Sequence, residues 1–226
     1  MIEFSLSKMN LLIFVTAIAS IVIFFMATVN SNMKTRQSYE LVYSLGSEIK
    51  TGVESNSYCT VKQLDLPDKI YTNNGHSDMF SIKYVLDISY YEVNDDTNKV
   101  VLSIMDRRTN NNTIYAAYDI DFNGPIYLYS SDCDDTTNEK ICKSSENFVN
   151  YDPLKSRSID TMFFFVKKIK NGQPNIYFFP CAYRNNVYTC NEFYQVRDEL
   201  YDEEDLDCLN TVTNLITNID QTQNES

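Results

Sequence analysis

The chain has 226 residues, of which 43% are hydrophobic and 22% charged, so it is too apolar to remain disordered and long enough for one domain with a real core. A net charge of −12 excludes a phosphate-backbone partner, since duplex binding needs clustered Lys and Arg. The same charge makes an anionic membrane surface a poor docking site for a folded domain and suits solubility.

After a short start (MIEFSLSK, residues 1–8), Met9 to Val29 carries no charge, and its only polar side chains are Asn10, Thr16, Ser20 and Thr28. About twenty apolar residues at 1.5 Å rise match the hydrocarbon core of a bilayer, so 9–29 reads as a transmembrane helix in contact with lipid. The run is longer than the roughly 7–15 residues of a secretory signal core, which argues for a retained anchor. No proline interrupts the next stretch of chain. There Tyr39, Val42, Leu45, Ile49 and Val53 recur at three- and four-residue steps, predicting an amphipathic helix over 30–54 that continues the span. As one rod, Met9 to Glu54 is on the order of 70 Å long.

Six cysteines lie beyond the rod: Cys59, Cys133, Cys142, Cys181, Cys190 and Cys208. The closest are nine positions apart and the chain has one histidine, His76, so the spacing of a zinc site is lacking. Disulfides in an oxidising compartment are the expected state. Lys8 lies on one side of the span and Lys34 and Arg36 on the other, so charge leaves the orientation open. The cysteines decide it: the N-terminus is expected in the cytoplasm and residues 55–201 form an extracytoplasmic domain.

Ser55 and Asn56 break the helix, and the apolar period then becomes alternating. Strands are predicted over 58–66, 79–93, 100–107, 113–121, 126–130, 161–170, 175–183 and 187–191, separated by turn-rich segments such as Asn171-Gly172. Such a series gives an antiparallel sheet or sandwich. In Ser81–Ser89, Ile82, Tyr84, Leu86 and Ile88 share the buried face. Met162–Val166 (MFFFV) is apolar on both faces, as expected of a strand between two layers. From Asp202 a helical stripe through Leu209, Val212, Ile216 and Ile219 predicts a helix over 202–219, with acidic residues in its first turn and a polar tail over 220–226. The expected fold is α+β: a long N-terminal helix, a β-rich, sandwich-like, disulfide-bonded head, and a C-terminal helix.

With Asn185-Asn186 as a two-residue hairpin loop, Cys181 and Cys190 oppose each other at a non-hydrogen-bonded site, where Cα atoms approach to roughly 4.5 Å, within disulfide range. Cys133 and Cys142 enclose a short polar loop, and Cys59 and Cys208 remain as a third pair. That last bridge closes a long loop, which the chain-entropy model makes the more stabilising kind. Six cysteines allow 15 connectivities, and only the hairpin pair follows from local geometry.

Asp119-Ile-Asp121-Phe-Asn123-Gly124 matches the opening of a calcium loop, but the twelfth position is Ser130 where the motif needs a bidentate Glu. A strand end entering a turn is the better reading. The acidic runs Asp132–Asp135 and Asp202–Asp207 read as solvated faces or helix starts, and His76 as a loop residue. Asn111-Asn-Thr113 and Asn224-Glu-Ser226 are N-x-S/T acceptors, and Asn111 is the glycosylation candidate. Nucleophile elbow, P-loop, dinucleotide fingerprint and HExxH are all missing from the sequence, so neither an enzyme nor a cofactor is expected.

The plan of a short start, an apolar helix, its amphipathic continuation and a disulfide-bonded β-rich head resembles that of type IV pilins. With its SKMNLLIF opening, the chain is most similar to small membrane-anchored, pilin-like surface proteins of archaea. The resemblance implies a cut just after Lys8 and association with other membrane or filament subunits through the N-terminal helix. It leaves two roles: a structural subunit of a surface filament, or a monomeric anchored envelope protein, of a cell or a virion, whose head is a binding or adhesion module.

Overall fold

The computed structural model describes residues 2–71, 81–94, 97–107, 113–131, 141–154, 159–184, 187–188, 194–201 and 207–223. A single helix, α1 (Ile2–Glu54), takes in the opening segment, the apolar span and the amphipathic stretch without a break. It stops where expected, with Ser55 N donating back to Gly52 O at 3.3 Å. Val42, Leu45 and Ile49 are buried and Val53 packs beside them. Tyr39 departs from the expected stripe and is 52% exposed. The helical step back from Val42 reaches Ser38 as well as Tyr39, and the small Ser38 takes the inward position, fully buried. Tyr39 instead stacks on Tyr43, which meets the Tyr118 ring edge-on at 5.5 Å.

Twelve strands come next among the described residues: β1 (Cys59–Asp65), β2 (Ile70–Tyr71), β3 (Ser81–Ile82), β4 (Tyr84–Asn94), β5 (Thr97–Asp106), β6 (Ile114–Phe122), β7 (Ile126–Ser130), β8 (Cys142–Lys143), β9 (Phe148–Tyr151), β10 (Ile159–Lys170), β11 (Gln173–Arg184) and β12 (Val187–Tyr188). Helices α2 (Tyr194–Leu200) and α3 (Asp207–Gln223) complete the chain. One sheet has the order β1-β10-β11-β7-β8, with β12 on β11; a second has the order β6-β5-β4-β9; β2 and β3 form a separate ladder. Pairing is antiparallel except between β7 and β11, which run parallel. That exception arises because the chain leaves β7 through β8, visits the second sheet as β9, and returns through β10.

The two sheets enclose one core and the first sheet carries a second core on its other face. Strand β10 divides them. Phe163 and Phe165 enter the inter-sheet core with Val42, Leu45 and Ile49 of α1, while Met162, Phe164 and Val166 enter the outer core with Val196, Leu200, Val212 and Ile216 of α2 and α3. This is the two-faced burial that MFFFV requires. Ile82, Tyr84, Leu86 and Ile88 all lie in the inter-sheet core, as their alternation predicts. Helix α1 closes the side of the sandwich between β6 and β1, the edge strands of the two sheets. On the opposite side Tyr151 Oη of β9 donates to Tyr129 O of β7 at 2.9 Å.

Strands β2, β8 and β9 and helix α2 were not expected; they are two, two, four and seven residues long, too short for a periodic pattern. Helix α3 runs on to Gln223, past the expected start of the tail at Asp220, because no glycine or proline stops it there. Residues 202–206, including most of the acidic run placed in its first turn, lie outside the described residues.

Candidate functional site

The feature of this molecule that departs most from a soluble domain is the bare half of α1. Its apolar window has a mean hydropathy of 2.7 and none of it is covered by the rest of the chain. Leu12, Ile23 and Phe24 are between 65% and 75% exposed. Every hydroxyl within this stretch is satisfied by the helix itself: Thr16 Oγ1 donates to Leu12 O and Ile13 O, Ser20 Oγ to Thr16 O, and Thr28 Oγ1 to Phe24 O, all at 2.8–3.0 Å. These hydroxyls need neither water nor a neighbouring helix as partners. Its length and composition are compatible with a single-pass membrane anchor.

Beyond Asn30 the outward face of the same helix changes character. Arg36 pairs with Glu40 at 3.1 Å and Lys50 with Glu54 at 3.9 Å, and Ser44, Glu48 and Thr51 are exposed beside them. These i,i+4 pairs are typical of a solvated surface. The inward face meets the head so closely that two positions admit no side chain. A Cβ at Gly46 would run into the Tyr118 ring, and one at Gly52 would come within 2.6 Å of Phe165. Both glycines escaped the sequence reading. The available signal was their placement on or next to the apolar stripe of a helix that otherwise avoids helix breakers.

Covalent and polar ties hold the head to itself and to the rod. Cys59 at the start of β1 is bonded to Cys208 at the start of α3, 149 residues later. Cys142 and Cys181 are also disulfide-bonded. Cys133 and Cys190 lie outside the described residues, and with them the expected Cys133–Cys142 and Cys181–Cys190 pairings. The β11–β12 register, Arg184 opposite Val187 and Tyr183 opposite Tyr188, is the one that a loop at Asn185-Asn186 demands. Lys167 Nζ donates to Val53 O at 2.9 Å and to Ser55 O, and desolvation holds its ammonium below the ordinary lysine range.

The calcium-like sequence has a different use. Asp119 and Asp121 alternate outward on β6, where Lys99 Nζ of β5 reaches them at 2.7 Å and 3.5 Å. Its hydrogen bond and charge hold the Asp119 carboxyl below the usual range. Ile120 and Phe122 point into the core, and Gly124, with φ of 148°, packs against Pro174 O where a side chain would not fit. This is the strand running into a turn. His76, Asn111 and the run Asp132–Asp135 lie outside the described residues. Among the described residues no three His, Cys, Asp or Glu side chains converge as a metal site would need.

Three phenols are buried and shifted. Tyr84 Oη donates to Pro67 O at 2.7 Å, and burial, then the nearby Asp68, pushes its ionisation well above the ordinary range. Tyr129 Oη is buried with no hydrogen-bond partner, and burial followed by the charge of Glu199 raises it too. Tyr177 is raised chiefly by burial and stacks on Tyr127 at 4.8 Å. Lys143 lies 4.5 Å above that Tyr127 ring and pairs with Glu199 at 3.0 Å, joining β8 to α2. These groups are packing and pairing partners. No family model, no curated protein and no solved structure matches this chain.

Proposed function

We propose that this is a single-pass, membrane-anchored surface protein whose disulfide-bonded head lies on the extracytoplasmic side and has a binding or structural role, with no catalytic one. The observation that carries the reading is one uninterrupted helix, bare and apolar over Met9–Val29 and built into the core of the head from Val42 onward. The bonded state of Cys59, Cys142, Cys181 and Cys208 supports an oxidising location for the head. The ion-paired outward face of α1 beyond the span supports an anchor that stands alone in solvent. The resemblance to pilins leaves a second reading, a filament subunit, which is favoured by the same unbroken passage of a lipid-type helix into the head.

The test is the full-length chain in cells. Membranes are washed at alkaline pH and floated, intact cells are treated with protease, and thiols are labelled before and after reduction. The expected protein floats with the membrane, loses its head to external protease, and has thiols that react only after reduction. Release by the wash, or free thiols in the untreated protein, overturns the reading. Cross-linking then separates the two roles, since a ladder joined through α1 marks a filament and a monomer marks a lone module.

A further inference from the structure

We propose that the head stands upright on the bilayer, with the Val85–Met105–Ile114 end of its second sheet seated against the phospholipid headgroups of the membrane that holds the anchor. This rests on the anchor reading above. Its basis is that two independent rulers place the strands along the helix axis. Tyr118 of β6 lies against Gly46 of α1. From Gly46 the helix ends eight residues later at Glu54, about 12 Å on. From Tyr118 the strand ends four residues later at Phe122, about 13 Å on.

Those two ends are joined by a separate chain of contacts. Asn98 Nδ2 donates to Gly124 O at 2.8 Å, Gly124 packs on Pro174 O, and Pro174 pairs with Ile169. Ile169 N donates to Tyr58 O at 3.0 Å, and Lys167, two residues before Ile169, caps Val53 O. Strand β6 therefore runs in the same direction as α1, away from the membrane.

Going back from Tyr118, the register skips Tyr115, so Ile114 lies three ladder steps, about 10 Å, closer to the membrane, level with Tyr39. The antiparallel register carries that level across the sheet, from Ile114 to Met105 to Val85, and Arg107 N donates to Lys83 O beside them. Ten residues separate Val29 from Tyr39, about 15 Å of helix. The headgroup layer occupies roughly 5–8 Å outside the hydrocarbon. Lys83, exposed and two residues or about 7 Å beyond Val85 on that side, spans the gap that remains with its backbone and side chain together. Ser38 is fully buried, so the head already encloses the helix at this height. Between Val29 and Val42 the helix has no glycine or proline to act as a hinge, so the bilayer sets the height and direction of the head. Because the chain is acidic overall, the seat is imposed by the rod and should form on zwitterionic lipid.

The chain contains no tryptophan, so single introduced tryptophans report depth without background. Phe24→Trp, Ile114→Trp and Val93→Trp replace residues that are 75%, 58% and 48% exposed. Val93 is eight residues along β4 from Val85, about 26 Å further out. The full-length variants are reconstituted in phosphatidylcholine vesicles with either acyl-brominated or headgroup-nitroxide phosphatidylcholine. Bromine is expected to quench Phe24→Trp alone. The headgroup nitroxide is expected to remove most of the Ile114→Trp emission and leave Val93→Trp unchanged. An unquenched Phe24→Trp with brominated lipid overturns the anchor itself. A quenched Phe24→Trp with Ile114→Trp untouched, or with Ile114→Trp and Val93→Trp quenched alike, overturns the seat.

Discussion

Lys167 and Lys168 are neighbours on β10, yet each closes the end of a different helix on a different face of the sheet. Lys167 Nζ donates to Val53 O at the end of α1, and Lys168 Nζ, on a fully buried side chain, donates to Leu200 O at the end of α2. The alternation of a strand sends adjacent side chains to opposite sides. A helix end presents unpaired carbonyls and a partial negative charge, which an ammonium satisfies on both counts. One dipeptide thus couples the rod, the central sheet and the C-terminal layer.

Replacing Lys168 by Met keeps the apolar stem and removes the donor, leaving Leu200 O without that partner in the outer core. The expected loss is about 1.5–3 kcal/mol, the range for a hydrogen bond to a charged group. Lys167→Met removes the donor to Val53 O and should fray the last turn of α1. Denaturant unfolding in detergent measures both, and hydrogen exchange separates them, α2 opening in the first variant and residues 50–54 in the second. Unchanged stability in Lys168→Met would show that the cap contributes nothing.

At Gly46 two effects oppose each other. Alanine in a helix interior gains roughly 1 kcal/mol over glycine. Here its Cβ would press into the Tyr118 ring, and overpacking costs about 1–3 kcal/mol. Gly46→Ala should therefore destabilise the head despite its better helix propensity. In a Tyr118→Ala background the same substitution should turn neutral or stabilising, a coupling that a double-mutant cycle reads directly. Additive behaviour of the two changes would sink the explanation.

The buried phenols set an alkaline limit. Tyr84, Tyr129 and Tyr177 hold their protons in the folded chain above the ordinary tyrosine value of about 10. Below that pH both states are protonated and the contribution of these groups to stability is constant. Above it the unfolded chain releases protons that the native chain retains, so stability falls as pH rises. Lys167 has the opposite sign, because its lowered value makes the native state bind fewer protons just below about 10.5. Past that point only the phenols act. In an alkaline titration followed by ultraviolet absorbance, one class of phenols should ionise only together with loss of the folded circular-dichroism signal. Complete ionisation of the phenols with the fold intact would refute this account.

Local pattern made much of the architecture legible before any coordinates. The span at 9–29, the helix stop at Ser55, the alternation in Ser81–Ser89 and the two-faced MFFFV strand all express the hydrophobic period of one element, which sequence displays directly. The Cys59–Cys208 bridge followed by elimination. Tyr39 misled because helical steps of three and four leave two candidates for one inward position, and side-chain size at the contact chose Ser38.

Sequence by itself determined which stretches are apolar, with what period, and therefore which faces must be hidden and which half of α1 suits lipid. Tertiary structure decided what hides them: that α1 seals the β6–β1 side of a sandwich, that β7 and β11 run parallel, that Gly46 and Gly52 are contact points, and that one lysine pair closes two helices. The physical reason is range. An element's own periodicity is encoded within a few turns or strand residues, whereas its partner is set by packing between segments separated by up to 149 residues.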